Sequence, residues 1–335
     1  AFGDDPLRML RGYRLQAVLD FEMDARTKQS VAAHVPLIKN VSKERILTEL
    51  DTIIESDNGY RELKLIAENG LLFEILPELK AGVDVEQPDF HHLDVFDHCL
   101  EALKCMEEII GDVPHFFSSY QQEIETYLGD IRTRRQLKWA ALFHDLGKPA
   151  TKRESEKEKG RVTFHNHDQV GTELFNQIAE RLRWSNEDKT AVETLIRLHM
   201  QPFHLSNLYR QASLTPRAVT RMAKRAGSML IGLFLLAMSD SMASEGRLKP
   251  ENMEQELDAL FGEVFGVYLI SIKPVLEAPK LLGGHDLITE FQLKPGPIFK
   301  EILTELEYDV IEGKVKDRVQ ALSWVANFIR TKNIE

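Results

Sequence analysis

Cysteine is almost absent, with Cys99 and Cys105 the only two in 335 residues. That excludes a disulfide framework and a cysteine zinc cage, and it fits a reducing cytoplasm. Long apolar runs are missing as well: the longest, residues 229–238, falls short of the roughly 18 residues that span a bilayer. No signal peptide or lipidation motif is present, so no membrane partner is expected. Positive charge is in deficit, with 42 Lys and Arg against 53 Asp and Glu for a net charge of −11. A uniform electrostatic coating of nucleic acid is thereby excluded, while a local basic strip is not. Gly and Pro number 19 and 13, and 43% of residues are hydrophobic, a globular composition rather than a disordered one. The chain opens Ala-Phe-Gly-Asp-Asp without a Met, so a fragment of something longer is the expectation.

Strand-like alternation is lacking too. Apolar residues recur at spacings of 3 and 4 in nearly every segment, which predicts an all-α protein. Asp5-Pro6 reads as an N-cap with Pro at the first helical position, ahead of an apolar face of Leu7, Leu10, Ala17, Val18 and Phe21. Asn69-Gly70 and Pro77 punctuate two short helices, and Ser185-Asn-Glu-Asp188 resembles a capping box. Composition shifts divide the chain into a first helical module at 1–80, a middle at 88–246 and a C-terminal region at 247–335. A charged loop at 152–161 interrupts the middle.

Nine of the eleven histidines, at positions 91, 92, 98, 115, 144, 165, 167, 199 and 204, fall within 114 residues of that middle, about a third of the chain. The sharpest feature is His144-Asp145 within Trp139-Ala-Ala-Leu-Phe-His-Asp-Leu-Gly-Lys148, an apolar helix that ends in two side chains suited to a divalent transition metal. Asp240 closes the most apolar helix of the protein, where an unpaired carboxylate costs several kcal/mol unless protonated, paired or metal-bound. His98 and His199 lean toward the apolar faces of their helices, which fits convergence on one buried point. Each of these alone also fits a satisfied core residue. Between residues 194 and 239 there is no Asp or Glu, yet Arg217, Arg221, Lys224 and Arg225 share one side of a helix beginning at Thr215. Such a strip is either a solvated face or a contact for RNA or nucleotide phosphate.

The order His98, His144-Asp145, Asp240 resembles the HD-domain superfamily of metal-dependent phosphohydrolases, whose pattern is H…HD…D. The resemblance implies that His98, His144, Asp145 and Asp240 hold a divalent metal, with His167 and His199 as further ligands. It also implies that His144, Asp145 and Lys148 serve phosphoester hydrolysis. The ion itself is left open among Mn, Ni, Co, Fe, Zn and Mg.

Phe2-Gly-Asp-Asp5-Pro-Leu-Arg8 in turn is similar to the neck motif Glu-Asp-x-x-Arg of the bacterial tRNA nucleotidyltransferase and poly(A) polymerase family, with Asp4 where the family has Glu. Val41-Ser-Lys-Glu-Arg-Ile46, Gly70-Leu-Leu-Phe-Glu-Ile-Leu-Pro77, Leu282-Gly-Gly-His-Asp-Leu287 and Lys294-Pro-Gly-Pro297 extend that resemblance over essentially the whole chain. It implies a helical neck, an HD body and a helical tail, with Asp5 and Arg8 as nucleobase template. The implied partners are the tRNA 3′ end and a nucleotide or cyclic phosphate substrate. The family's head, with its Gly-Ser run and Asp-x-Asp metal ligands, has no counterpart here; Glu22-Met-Asp24 lacks the preceding loop and reads as an exposed helix end. Nucleotide transfer is therefore expected only of a longer parent that carries the head in cis. Two functions stand side by side: a tRNA-binding metal phosphohydrolase, and an RNA-binding scaffold with a vestigial HD site.

Overall fold

The computed structural model describes residues 2–87, 92–154 and 162–332. His91, the boundary placed at 88 and positions 155–161 of the charged loop lie outside the described residues. Among the described residues the regular structure is helical, apart from a two-stranded antiparallel pairing of Arg153–Glu154 with Val162–Thr163 and a single bridge between Glu86 and Asp94. It forms two compact units. One comprises Ala1–His204 with Ser228–Ala259; the other comprises Leu205–Gly227 with Leu260–Glu335. The basic helix Pro216–Ala226, which the sequence places in the middle segment, thus groups with the C-terminal residues.

The first unit is organised around the helix Ile131–Phe143. Its residues from Gln136 to Phe143 are all buried, and it packs on Lys43–Glu55, Val95–Gly111, Asn186–Leu198 and Leu230–Met242. A helix surrounded in this way must place its polar groups against partners. Lys138 Nζ donates to Glu107 at 3.0 Å and to the Ser56 carbonyl at 2.7 Å, Gln136 to Asp188 at 2.7 Å, and Trp139 Nε1 to Asp51 at 2.9 Å. Leu230–Met242 is likewise apolar all round and almost wholly buried, as a core helix should be.

The second unit has its own core of Leu282, Leu287, Leu293, Ile302, Leu306, Val315, Ala321 and Val325. Its helices Pro297–Ile311 and Arg318–Lys332 are separated by Gly313 at φ 72°. Two helical stretches, Pro216–Met242 and Met253–Glu277, are long and apolar enough to cross a membrane by composition alone; 72% of the tested window is buried inside the protein in the first and 28% in the second.

Two caps behave as the sequence predicts. Ser185 Oγ accepts from Asp188 N, and Thr215 Oγ1 from Ala218 N. The Asp5 cap does not form: the first helix is Arg8–Leu19, its N-cap position is Leu7, and no side chain caps it. The Asp5 carboxylate instead lies 3.4 Å from Arg45 and 3.6 Å from Arg11, because two guanidinium groups compete better for it than backbone amides do. Asp24, read as a bare helix end, is itself a cap, accepting from Arg26 N and Thr27 N.

Candidate metal centre

Five helices deliver one polar cluster into the first unit. His98 comes from Val95–Gly111, His144 and Asp145 from the end of Ile131–Phe143, His199 from the end of Asn186–Leu198, and Asp240 from Leu230–Met242. His167 begins the helix His167–Leu182. His144 and His199 both occupy C-cap positions, where the last carbonyls of a helix lack intrahelical donors. Each therefore donates Nδ1–H to the carbonyl three residues back: His144 to Ala141 at 2.8 Å and His199 to Ile196 at 2.7 Å. His167 does the same to Phe164 at 2.8 Å, and His98 Nδ1 lies 3.4 Å from the Ala243 carbonyl. Committing Nδ1 as donor leaves Nε2 as the bare lone pair, the usual orientation of a metal-ligating imidazole.

Those Nε2 atoms face one another. His98 Nε2 is 3.2 Å from His144 Nε2, and His167 Nε2 is 3.0 Å from His199 Nε2. Two nitrogens bound about 2.1 Å from one ion stand about 3 Å apart, so the spacing is that of a shared cation. Asp145 joins the pairs. Its Oδ2 lies 3.2 Å from His144 Nε2 and 3.5 Å from His98 Nε2, while Oδ1 lies 3.4 Å from His167 and 3.7 Å from His199. The carboxylate is 1% exposed; Lys148 Nζ stands 2.5 Å from Oδ2, while Oδ1 has no hydrogen-bond partner among the described residues. Asp240 Oδ1 completes the first pair at 3.1 Å from His98 Nε2. The donors form two triads, His98–His144–Asp145 and Asp145–His167–His199, which share the one carboxylate.

The electrostatics ask for positive charge at the same place. Burial drives both carboxyls up, yet His144 outweighs it and holds Asp145 and Asp240 well below the usual carboxylate range. Burial drives His144 down, and the same two aspartates raise it well above the usual imidazole range. His199, buried and facing His167 and His144, is pushed down to about 3, which keeps it neutral and its lone pair available.

Gly147 locks the two triads together. A Cβ on it would stand 2.5 Å from Gly171 N and closer still to the His167 carbonyl oxygen, so only a glycine lets the turn after His144-Asp145 lie against the helix that carries His167.

The remaining predicted residues fall elsewhere. Arg8 lines a cleft of about 450 Å³ with Phe2, Arg11, Leu15, Phe21 and Met23, while Asp5 is held by Arg11 and Arg45. The basic strip divides. Arg217 pairs with Glu305 and Lys224 with Glu307, and both cations sit over the Tyr308 ring, at 5.0 and 4.7 Å from its centre. Arg221 and Arg225 lie roughly 40° and 80° further round the helix; they are exposed and have no ion-pair partner among the described residues. Gln87, on Lys148, escaped sequence reasoning, since no motif or periodicity marks it.

The chain matches three family models: one described as a probable RNA and SrmB-binding site of polymerase A over residues 20–82, the HD domain over 95–241, and domain 2 of tRNA nucleotidyltransferase over 275–326. It is 30% identical to the A-adding tRNA nucleotidyltransferase of Deinococcus radiodurans, covering 96% of this chain and 68% of that one. It is 29% identical to the CC-adding tRNA nucleotidyltransferase of Thermus thermophilus, covering 96% and 66%. The chain thus spans about two thirds of the length of these relatives. The Thermotoga maritima CCA-adding enzyme, solved in complex with tRNA, shares the fold at a TM-score of 0.51 and 16% identity, over 98% of this chain and 62% of that one. A CCA-adding enzyme in complex with ATP does so at 0.53 and 14%, over 98% and 61%. The chain belongs to the tRNA nucleotidyltransferase family, with an HD domain in its helical body.

Proposed function

We propose that this chain is the tRNA-binding neck, HD body and tail of a cytoplasmic tRNA 3′-end nucleotidyltransferase, and that its His/Asp centre is a divalent-metal phosphohydrolase acting on a phosphomonoester or a 2′,3′-cyclic phosphate. The carrying observation is the two facing pairs of Nε2 atoms, 3.2 and 3.0 Å apart, around the buried carboxylate of Asp145, which reaches both pairs. His98, His144, Asp240 and Asp145 Oδ2 would hold one ion; His167, His199 and Asp145 Oδ1 would hold a second. Such ions lower the pKa of a bound water and polarise a phosphoryl oxygen. The donor set suits Mn, Fe, Co, Ni or Zn better than the oxygen-seeking Mg.

The chain's own residues do the rest. The Nδ1–carbonyl bonds keep the imidazoles in one tautomer. Lys148 brings a cation to the carboxylate's edge, where an anionic substrate oxygen needs a counter-charge. His98, His144 and His199 are sealed from solvent, whereas His167 and Asp240 retain slight exposure, 9% and 8%, so substrate approaches on their side. For tRNA, Arg221 and Arg225 are the free phosphate contacts of the basic helix, and the cleft at Arg8 receives a nucleobase. The relatives add A or CC, so the added nucleotide is not part of the proposal.

Deep burial of three imidazoles also favours a second reading, in which the bound ions only brace the fold of an RNA-binding scaffold. One experiment separates the two. Metal content of the purified chain is measured together with hydrolysis of a 2′,3′-cyclic nucleotide and of p-nitrophenyl phosphate with Mn, Ni, Co, Zn and Mg. Stoichiometric metal with turnover lost in His144→Ala and Asp240→Ala supports the hydrolase; activity persisting in both variants overturns it. Metal without turnover under any ion leaves the scaffold.

A further inference from the structure

Lys148 is 7% exposed. An ammonium carries three donors and no acceptor, so a buried one needs oxygen or π partners. Its Nζ lies 2.5 Å from Asp145 Oδ2, 2.5 Å from Gln87 Oε1 and 5.8 Å from the centre of the Phe164 ring. Gln87 is itself 2% exposed. It follows Glu86, whose bridge to Asp94 ties this segment to the start of the helix that carries His98. Asp94 secures the tie from both sides: Oδ1 caps that helix by accepting from Asp97 N, and Oδ2 accepts from Asp84 N, each at 2.7 Å.

The orientation of the Gln87 amide follows from its partner. Because Lys148 can only donate, the carboxamide oxygen must face it and the NH2 group must face away. That Nε2 is buried and has no hydrogen-bond acceptor among the described residues. A buried donor left unsatisfied is costly, and this one is fixed one amide width from an ammonium. The acceptor that answers both is an anionic oxygen.

We infer that Gln87 and Lys148 form an oxyanion-binding wall beside the His/Asp centre, with Gln87 Oε1 positioning the ammonium and Nε2–H donating to a phosphoryl oxygen of the ligand. The inference rests on the phosphohydrolase reading and deepens it, since it names a phosphoryl oxyanion as what is bound and a glutamine as one of the groups that bind it. It concerns affinity rather than the chemical step.

The test is calorimetric titration of inorganic phosphate into the manganese-loaded full chain, comparing the unaltered protein with Gln87→Met, which keeps the side-chain length but removes donor and acceptor. Phosphate Kd rises about tenfold or more, while manganese stoichiometry holds. A phosphate affinity within twofold of the unaltered protein overturns the wall and means that water satisfies the amide. Should Gln87→Met fail to fold, Gln87→Glu decides, because it keeps an oxygen on Lys148 and removes the N–H; affinity unchanged there is equally fatal. If the chain binds phosphate through Gln87 yet hydrolyses nothing, the phosphohydrolase reading fails and the wall stands. If it hydrolyses cyclic phosphate and Gln87→Met binds phosphate normally, the wall alone fails.

Discussion

Gly147→Ala is the smallest change that tests how the two triads are joined. The added Cβ would lie 2.5 Å from Gly171 N, where real Cβ atoms keep at least 3.0 Å, and would press harder still on the His167 carbonyl oxygen. Both obstacles are backbone, so no side chain can rotate away, and the turn must retreat by about half an ångström or more. Overpacking of this kind costs roughly 1–3 kcal/mol, and the upper end applies where backbone has to move. For a unit of this size that lowers the thermal midpoint by roughly 6–12 °C. The retreat also carries His167 away from Asp145, from which it stands 3.4 Å, so the second triad loosens while His98, His144 and Asp240 keep their places. The assay is differential scanning calorimetry together with metal analysis by mass spectrometry. The expected result is a lowered midpoint and loss of about half the bound metal. An unchanged midpoint with full metal content would show that the turn and the helix do not bear on each other, and would remove the physical basis for treating the triads as one centre.

The remaining predictions concern charge. Burial raises Asp51 to about 6, against the opposing pull of Trp139 and Arg135. The folded chain therefore holds a proton that the unfolded chain has released between about pH 4 and 6, and stability falls as pH rises through that window. Asp51→Asn should flatten this slope and gain up to roughly 3 kcal/mol at pH 8 in urea unfolding; a slope that persists assigns it to another group. Asp188 has the opposite sign. Burial pushes it up, but Arg132, Ser185 and Gln136 outweigh that and hold it below the usual carboxylate range, so its contribution is present above about pH 4 and is lost as pH falls further. Asp188→Asn should lose roughly 2 kcal/mol at pH 7 and show a shallower acid limb in the same titration, and an acid limb as steep as that of the unaltered chain would contradict it. In filter binding against tRNA, Arg221→Ala with Arg225→Ala should lower the slope of log K against log salt by about 2. The pair Arg217→Ala with Lys224→Ala should change that slope less, because those cations are already neutralised by Glu305 and Glu307.

Much of the centre was legible because its residues break a local rule. Asp240 stood out as an acid in an otherwise apolar helix, and His199 because it continues the stripe of Val192, Leu195 and Ile196; a polar group on a buried face must have a partner. Even the imidazole tautomers are encoded nearby. His144 and His199 each end a helix and donate to the carbonyl three residues back, so the same hydrogen bond that closes the helix aims Nε2 at the centre. What stayed hidden is compensation that arrives from far along the chain. Gly147 is required by His167 and Gly171, some twenty residues later, and nothing around Gly147 announces them. The strip at 217–225 reads as either a solvated face or a phosphate contact, and nothing near it shows that Glu305 and Glu307 take two of its four members. Gln87 is the extreme case: an ordinary amide in an aperiodic segment, which matters only because Lys148, sixty-one residues on, donates to its oxygen. Burial cost can be read from local context; the group that offsets it can be read only where it is local too, as with the carbonyls three residues before His144, His167 and His199 or Lys148 three residues after Asp145, and not where it lies tens of residues away.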